Sequence, residues 1–381
     1  MKTEHYDIII KGAGLAGLSL ALSLAENGYK GRVLIVERAH SPNTSKTWCF
    51  WGRENVPPYL SPLINKSWQS WSVSCEETGE ENTLFSSTDS YCCIMGASFY
   101  QYALSRLEKN KHFDFHWGAT AQTVSNITEG VGVVIDKNLF TADYGFDNAC
   151  HLTAAKADSI NQYFVGAWIS TSNLNISTDT VQLMKEMKAD NQAFEFTYVL
   201  PFNEQEALVE LTRFSMNDES LDTMKSMCEQ EILRGSYGNN VNIRCWEQGV
   251  LPMDTRRKSV QSANWHNIGI NANMIRASSG YAFIIIQRAV TEIAQALVHK
   301  RKVPASLGKH AIYTALDSIF LRVLRHNMSQ SPAIFNAMLK QTNAHTFTRF
   351  MTERASILDI LRVIKAMPTD LFVRACIPKM K

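Results

Sequence analysis

The sequence predicts an α/β fold in three parts: a parallel-sheet domain, an interleaved β-rich domain and a C-terminal helical segment. Three observations predict it. A strand, a glycine-rich turn, a helix and a second strand open the chain, within about the 30 residues that one such unit needs. Segments between positions 161 and 215 alternate apolar and polar residues with the period of paired strands. From Gly280 onward apolar residues recur at helical spacing. At 381 residues the chain exceeds one ordinary core, so two interleaved domains are expected.

The opening unit begins with the apolar strand Tyr6–Ile10, followed by Gly12-Ala13-Gly14-Leu15-Ala16-Gly17. Small and aliphatic residues from Leu18 to Asn27 read as a helix closed by Gly28, and Arg32–Val36 is a second strand ending at Glu37. This is the Rossmann-type dinucleotide fingerprint, and each residue has a physical reason. Gly12 permits the tight turn, Gly14 lets backbone N–H groups approach a pyrophosphate at the helix N-terminus, and Gly17 lets the helix lie close on the sheet. Glu37 stands where an acid binds a ribose hydroxyl. Ala16 in the loop and Arg38 beside Glu37 complete this part of the cofactor set. Lys11 occupies a position that is normally small and apolar, so it must either snorkel or meet the cofactor.

Residues 39–65 read as a loop, and Trp68–Cys75 and Asn82–Ser87 as exposed strands. Ser98–Lys109 is helical, with Phe99, Tyr102, Ala103 and Leu107 on one stripe. Val131–Ile135 and Asn161–Ser170 are strands, while Gln192–Leu200 and Ala207–Ser215 pair through the turn at Pro201-Phe202-Asn203. A second strand-loop-helix comes late: Trp265–Ile268, then Gly269-Ile270-Asn271-Ala272-Asn273, then Ser278–Tyr281 opening a helix over Gly280–Lys300. A helix N-terminus lined with Ser and Gly offers free N–H donors, so Gly269, Asn271, Ala272, Ser279 and Gly280 join the cofactor set. An ordinary capped helix gives the same local pattern. From Ala311 the pattern is helical, broken at Pro332 and Pro368. The expected domains are 1–60, 90–165 and 245–299 for the cofactor, 61–89 and 166–244 for the substrate, and 300–381 as the helical segment.

Composition excludes several classes. A net charge of +2 argues against a nucleic-acid binder. No run of about 18 apolar residues suggests a spanning helix, and the N-terminus lacks the pattern of a signal peptide. The eight cysteines show neither CxxC pairing nor metal-like spacing, so reduced thiols and no metal are expected. Charge is unevenly distributed: residues 300–381 hold 14 Lys and Arg against 4 Asp and Glu. Such a segment either faces anionic lipid or is a solvated basic face.

Several stretches together resemble the lycopene cyclase family of flavin-dependent carotenoid β-cyclases. They are Thr47-Trp48-Cys49-Phe50-Trp51, Phe196–Phe202, Ala207–Ser215, Glu247–Met253, Ser278–Tyr281, and the tail around Phe320–Leu324 and Arg349–Met351. The resemblance runs in order over nearly the whole chain and is most specific across 198–215. It implies an FAD-binding Rossmann-like domain and an active reduced flavin, with NAD(P)H as the electron source. It also implies a redox-neutral reaction in which a carboxylic acid protonates the terminal double bond of a linear polyene. The substrate would be a lipophilic polyene or isoprenoid drawn from a membrane, with the protein attached peripherally on the cytoplasmic face.

Glu210 matches the first acid of the family's acidic motif, and Leu211 stands at the second. By pattern alone Glu210 is a solvent-facing strand glutamate; the resemblance makes it the proton donor, which requires burial to raise its pKa. Trp48, Phe50, Trp51, Trp168 and Tyr198 are the substrate-side aromatics, able to face a carbocation with their π-systems. The chain departs from the family at Lys11, at Ser45-Lys46, at Lys185, and at Asn271, Asn273 and Ala277. Two rival readings stay open: an FAD-dependent monooxygenase or isoprenoid reductase on the same scaffold, and a cofactor-poor binding or regulatory protein.

Overall fold

The computed structural model describes residues 3–124, 130–148, 159–235, 237–255, 264–304 and 310–376. Cys150 lies outside them. The first sheet carries the fingerprint. Its parallel strands are Phe113–Trp117, Val33–Glu37, Thr3–Lys11 and Asn138–Asp147 in spatial order, extended by the antiparallel Val131–Ile135 and Gln122–Val124. The short strand Trp265–Asn267 pairs in parallel with the end of Asn138–Asp147. Strand alternation divides the core. Ile8, Ile10 and Ile35 face the helices Leu15–Glu26, Gly96–Leu107 and Phe283–Val298, whereas Ile9, Leu34 and Val36 pack on the opposite side.

The first helix starts at Leu15, three residues earlier than the apolar pattern suggests, because the glycine turn leads straight into it. Gly12 sits at φ 98°, which only glycine adopts without strain. A Cβ on Gly17 would fall on the Gly12 carbonyl. Lys11 finds an internal partner: its Nζ lies 3.1 Å from Asp147 Oδ2, on the residue paired with it across the parallel strands.

The second sheet has seven strands in the order Asn242–Met253, Ile160–Ser170, Glu206–Ser215, Ala193–Asn203, Thr180–Ala189, Ser70–Cys75 and Glu81–Phe85. Both faces are covered. Val165, Ala167, Val209 and Leu211 pack under the helix Leu221–Arg234, while Val181, Phe196, Leu208 and Phe214 face the C-terminal helices. Strands Ile160–Ser170 and Asn242–Met253 belong to this sheet whole, so its limits do not follow positions 166 and 245.

A third sheet of three strands, Thr47–Trp51, Tyr91–Met95 and Lys66–Trp68, bridges the other two. Two expectations are corrected here. Residues 39–65 contain the strand Thr47–Trp51, whose ladder partner Tyr91–Met95 is remote in sequence. The stretch expected as exposed strand at 68–75 buries Trp68 and Trp71 completely, because Trp51, Tyr91 and Phe347 close over them.

The C-terminal segment comprises the helices Ala311–His326, Ser331–Gln341, Ala344–Met351, Ile357–Ala366 and Thr369–Cys376. Pro332 lies in the first turn of its helix and Pro368 just precedes the last one, both positions where a missing N–H is harmless.

Candidate active site: a cavity from the dinucleotide loop to a buried carboxyl pair

A cavity of about 720 Å³ lies between the three sheets and the C-terminal helices. At one end it touches Gly14, Leu15, Ala16, Gly269 and Ile270; further in it is lined by Trp48, Trp51, Tyr198, Glu210 and Glu247. The remaining wall is largely apolar, including Leu183, Phe196, Leu208, Phe335 and Phe347.

The dinucleotide end is assembled from both ends of the first domain. Gly14 caps the first helix without any side-chain hydrogen bond, so the helix N-terminus is open to a ligand. A Cβ on Gly14 would stand 2.8 Å from Asn148 Nδ2, and one on Gly269 would stand 2.6 Å from Asn148 Oδ1. The two glycines thus flank the Asn148 amide, which sequence reasoning did not single out. Glu37 accepts from the Ala13 N–H at 2.8 Å and from the Ala39 N–H at 3.0 Å, holding the loop onto the second strand. Arg38 is exposed and lies outside the cavity wall. Gly269–Ala272 form one 3-10 turn that carries Asn271 and Ala272, and Asn273 closes it in the left-handed region at φ 59°. Asparagine there does what glycine commonly does.

The long helix begins at Phe283 rather than at the expected Gly280. Ser278–Ala282 instead form an irregular lead-in, tied down by Ser278 Oγ and Arg276 to Asp317 at 2.7 and 3.3 Å. Ser279, Gly280 and Tyr281 from this lead-in all line the cavity. Two buried polar atoms here, Asn273 Oδ1 and Ser279 Oγ, find no protein partner. Buried polar groups are normally satisfied, so open helix N–H donors, a side-chain-free cradle and unpartnered acceptors together fit a polar cofactor.

The other end is a single row across the second sheet. Tyr198 pairs with Glu210, Glu210 with Gly166, and Gly166 with Glu247. Glu210 shares its strand face with Leu208, Thr212 and Phe214, all of which line the cavity. Between the two glutamates Gly166 offers no side chain. A Cβ there would come within 3.2 Å of Glu210 Cβ and 3.3 Å of Glu247 Cγ.

The electrostatics follow from burial. Desolvation pushes Glu210 up to about 7, partly offset by the Thr212 hydroxyl, which donates to Oε1 at 2.9 Å, and by the positive charge of Lys46. Glu247 is pushed up to about 8, first by desolvation and then by the negative charge of Glu210, with Thr47 and Lys46 pulling the other way. Ionising one carboxyl therefore makes the other hold its proton. Lys46, one of the departures, donates from Nζ to the Gln248 carbonyl at 2.7 Å and sits over the Phe164 ring. Lys185, another, turns away from the cavity to Glu231 and Glu186, at 3.0 and 2.8 Å.

Of the substrate-side aromatics, Trp48, Trp51 and Tyr198 line the cavity, and Phe50 and Trp168 do not. Phe50 is buried against Phe283, with ring centroids 4.8 Å apart, in the core of the first domain. Trp168 packs on Phe202 at 4.7 Å, at the far end of its strand. The structure adds a chain of three phenols that pattern reading missed, Tyr91 buried and Tyr198 and Tyr281 partly buried. Tyr91 OH lies 2.8 Å from both Tyr198 OH and Tyr281 OH. Burial raises all three well above the ordinary phenol value, so they stay protonated.

The model of the lycopene cyclase protein family matches residues 7–376. The chain belongs to the lycopene cyclase family. It is 23% identical to the lycopene beta-cyclase of Paracoccus sp. (strain N81106 / MBIC 01143), over 95% of this chain and 94% of that protein. Membership of this family makes the chain an enzyme of the carotenoid-cyclase type. Among solved structures it is similar to a geranylgeranyl bacteriochlorophyll reductase-like protein from Thermoplasma acidophilum, with a TM-score of 0.66 and 13% identity over 98% of this chain and 99% of that one. It is also similar to PqsL, a probable FAD-dependent monooxygenase from Pseudomonas aeruginosa, with a TM-score of 0.57 and 12% identity over 95% of this chain and all of that one (100%). These structures establish the fold as the Rossmann-type α/β fold of flavoenzymes.

Proposed function

We propose that this protein is a flavin-dependent enzyme that cyclises the end of a linear carotenoid, or a related polyprenyl chain, without net oxidation or reduction. The observation that carries the reading is one cavity joining the open dinucleotide loop to a desolvated carboxyl at Glu210. An acid able to protonate an alkene near neutral pH must be held in its protonated form, and burial does this.

The steps balance. Glu210 gives its proton to the terminal carbon–carbon double bond, leaving a tertiary cation. An internal double bond attacks that cation and closes a six-membered ring. Loss of a ring proton to the Glu210–Glu247 carboxyl pair regenerates an alkene and an uncharged product, and the pair ends with the protons it began with. Glu247, facing Glu210 across Gly166, keeps a second proton within the pair and restores it to Glu210 for the next turnover. The faces of Trp48 and Trp51 offer the cation roughly 1–2 kcal/mol each where water is excluded. Tyr198, fixed by Tyr91, sets the position of the chain beside Glu210.

FAD would be held by Gly14, Ala16, Gly269 and Ser279, and in its reduced anionic form it supplies negative charge to the cation. NAD(P)H is then needed only to reduce the flavin.

The test is expression in a lycopene-accumulating bacterium. The wild type should turn red cells orange or yellow, with ring-bearing products on chromatography. The Glu210→Gln variant should leave the cells red while the purified protein still binds FAD. Cells that stay red with the wild type would refute lycopene as the substrate, and NADPH oxidation matching product one-to-one would favour a reductase.

A further inference from the structure

The helix Ile357–Ala366 is apolar on two sides. Ile360, Val363 and Ala366 are buried against the body of the protein, as in any amphipathic helix. The outward side carries Ile357, Leu358, Leu361 and Ile364, with 75, 65, 54 and 41% of their surface exposed. Their spacing places them along one outward stripe. Val373 on the next helix is 54% exposed. Large aliphatic residues held together in water mark an interaction surface.

Two further observations identify the partner. First, the stripe meets the mouth of the cavity. Ile364 is exposed and also lines the cavity, and just inside it the buried Val363 and Met367 and the half-buried Phe372 line it too. Second, cations flank the stripe. Arg354, Arg362, Lys365 and Arg374 are exposed around it, against the exposed Asp370. Arg362 also contacts the buried Asp359 at 3.3 Å. An apolar stripe edged by Lys and Arg matches the interface of an anionic bilayer, where side chains enter the acyl boundary and cations meet headgroups. No helix among the described residues is long and apolar enough to cross a membrane.

We propose that the stripe Ile357-Leu358-Leu361-Ile364 docks the protein on an anionic lipid surface and sets the cavity mouth against the acyl chains. The inference rests on the reading of the substrate as a long apolar polyene. Such a chain then passes from bilayer to Glu210 between the helices Ala311–His326, Ile357–Ala366 and Thr369–Cys376 without entering water.

The experiment uses the full-length protein and the exposed pair Leu358→Gln, Leu361→Gln, neither of which lines the cavity. Co-sedimentation with vesicles of mixed phosphatidylglycerol and phosphatidylcholine should capture the wild type, and pure phosphatidylcholine should capture much less. The double variant should bind the mixed vesicles at least about tenfold more weakly, since each leucine loses its transfer into the acyl boundary. The variant should also keep its turnover of detergent-dispersed substrate and lose turnover of vesicle-embedded substrate. Equal binding by wild type and variant would overturn the proposal. So would a dimer in sedimentation that the double variant converts to monomer, because the stripe would then be a protein interface. Vesicle binding needs neither flavin nor polyene, so its failure leaves the cyclase reading standing, and failure of cyclisation leaves the lipid result readable.

Discussion

Replacing Glu210 by glutamine should change how stability depends on pH, independently of any assay of turnover. Desolvation carries the Glu210 carboxyl from its ordinary value of 4.5 to about 7. Below 4.5 the folded and unfolded chains both hold the proton, and no penalty exists. As pH rises the unfolded chain releases it while the folded chain keeps it, so stability falls until the folded carboxyl ionises. At 1.36 kcal/mol for each tenfold, the penalty reaches about 3 kcal/mol once the pH passes 7. Glutamine has no proton to lose. The Glu210→Gln variant should therefore gain on the wild type by up to about 3 kcal/mol between about pH 5 and about pH 8. Any loss of the Thr212 hydrogen bond would act as a constant offset. Urea denaturation midpoints for both proteins across that range measure the difference. A difference that does not change with pH would mean that Glu210 is solvated, and the proposed proton donor would be lost.

Four other substitutions test separate parts of the account. Gly166→Ala inserts a methyl 3.1 Å from Leu208 Cδ1 and between the two glutamates; cyclisation should fall by about tenfold or more with flavin binding intact, and kinetics with purified protein decides. Tyr91→Phe removes the phenol that touches both Tyr198 and Tyr281, and should destabilise the fold by about 1–3 kcal/mol. Tyr198→Phe breaks only one of those contacts and should cost less in the same denaturation experiment. Gly17→Ala places a methyl on the Gly12 carbonyl, so the purified protein should be colourless and take up no added FAD in a fluorescence titration.

The opening fingerprint was legible in the sequence because the physics there is local. A strand, a turn that needs Gly12, and a helix that must approach Gly12 closely leave little choice of residue. The antiparallel pairing of Ala193–Asn203 with Glu206–Ser215 was legible for the same reason, but its turn falls at Glu204-Gln205, and the expected turn residues Pro201-Phe202-Asn203 belong to the strand. What escaped was whatever depends on distant partners. Thr180–Ala189 lost its alternation to two register shifts, with Glu186 at φ 52°, so no period of two survives. Trp68 and Trp71 read as exposed because nothing nearby announces Phe347 or Trp51 as their cover. Glu210 was legible only through family resemblance: its own strand suggests solvent, and the C-terminal helices that bury it begin more than a hundred residues later. Glu247 escaped as an acid although its stretch was recognised. Only the cross-sheet row through Gly166 brings it to Glu210.

The most direct measurement is turnover in heavy water with reduced flavin and a linear carotenoid. The donated proton comes from an exchangeable carboxyl and the departing one from carbon, so each closed ring should gain one deuterium by mass spectrometry. NAD(P)H consumption should stay far below product, and the Glu210→Gln variant should turn over at least about a hundredfold more slowly. Ring closure without deuterium, or undiminished in the variant, would contradict proton delivery from this carboxyl.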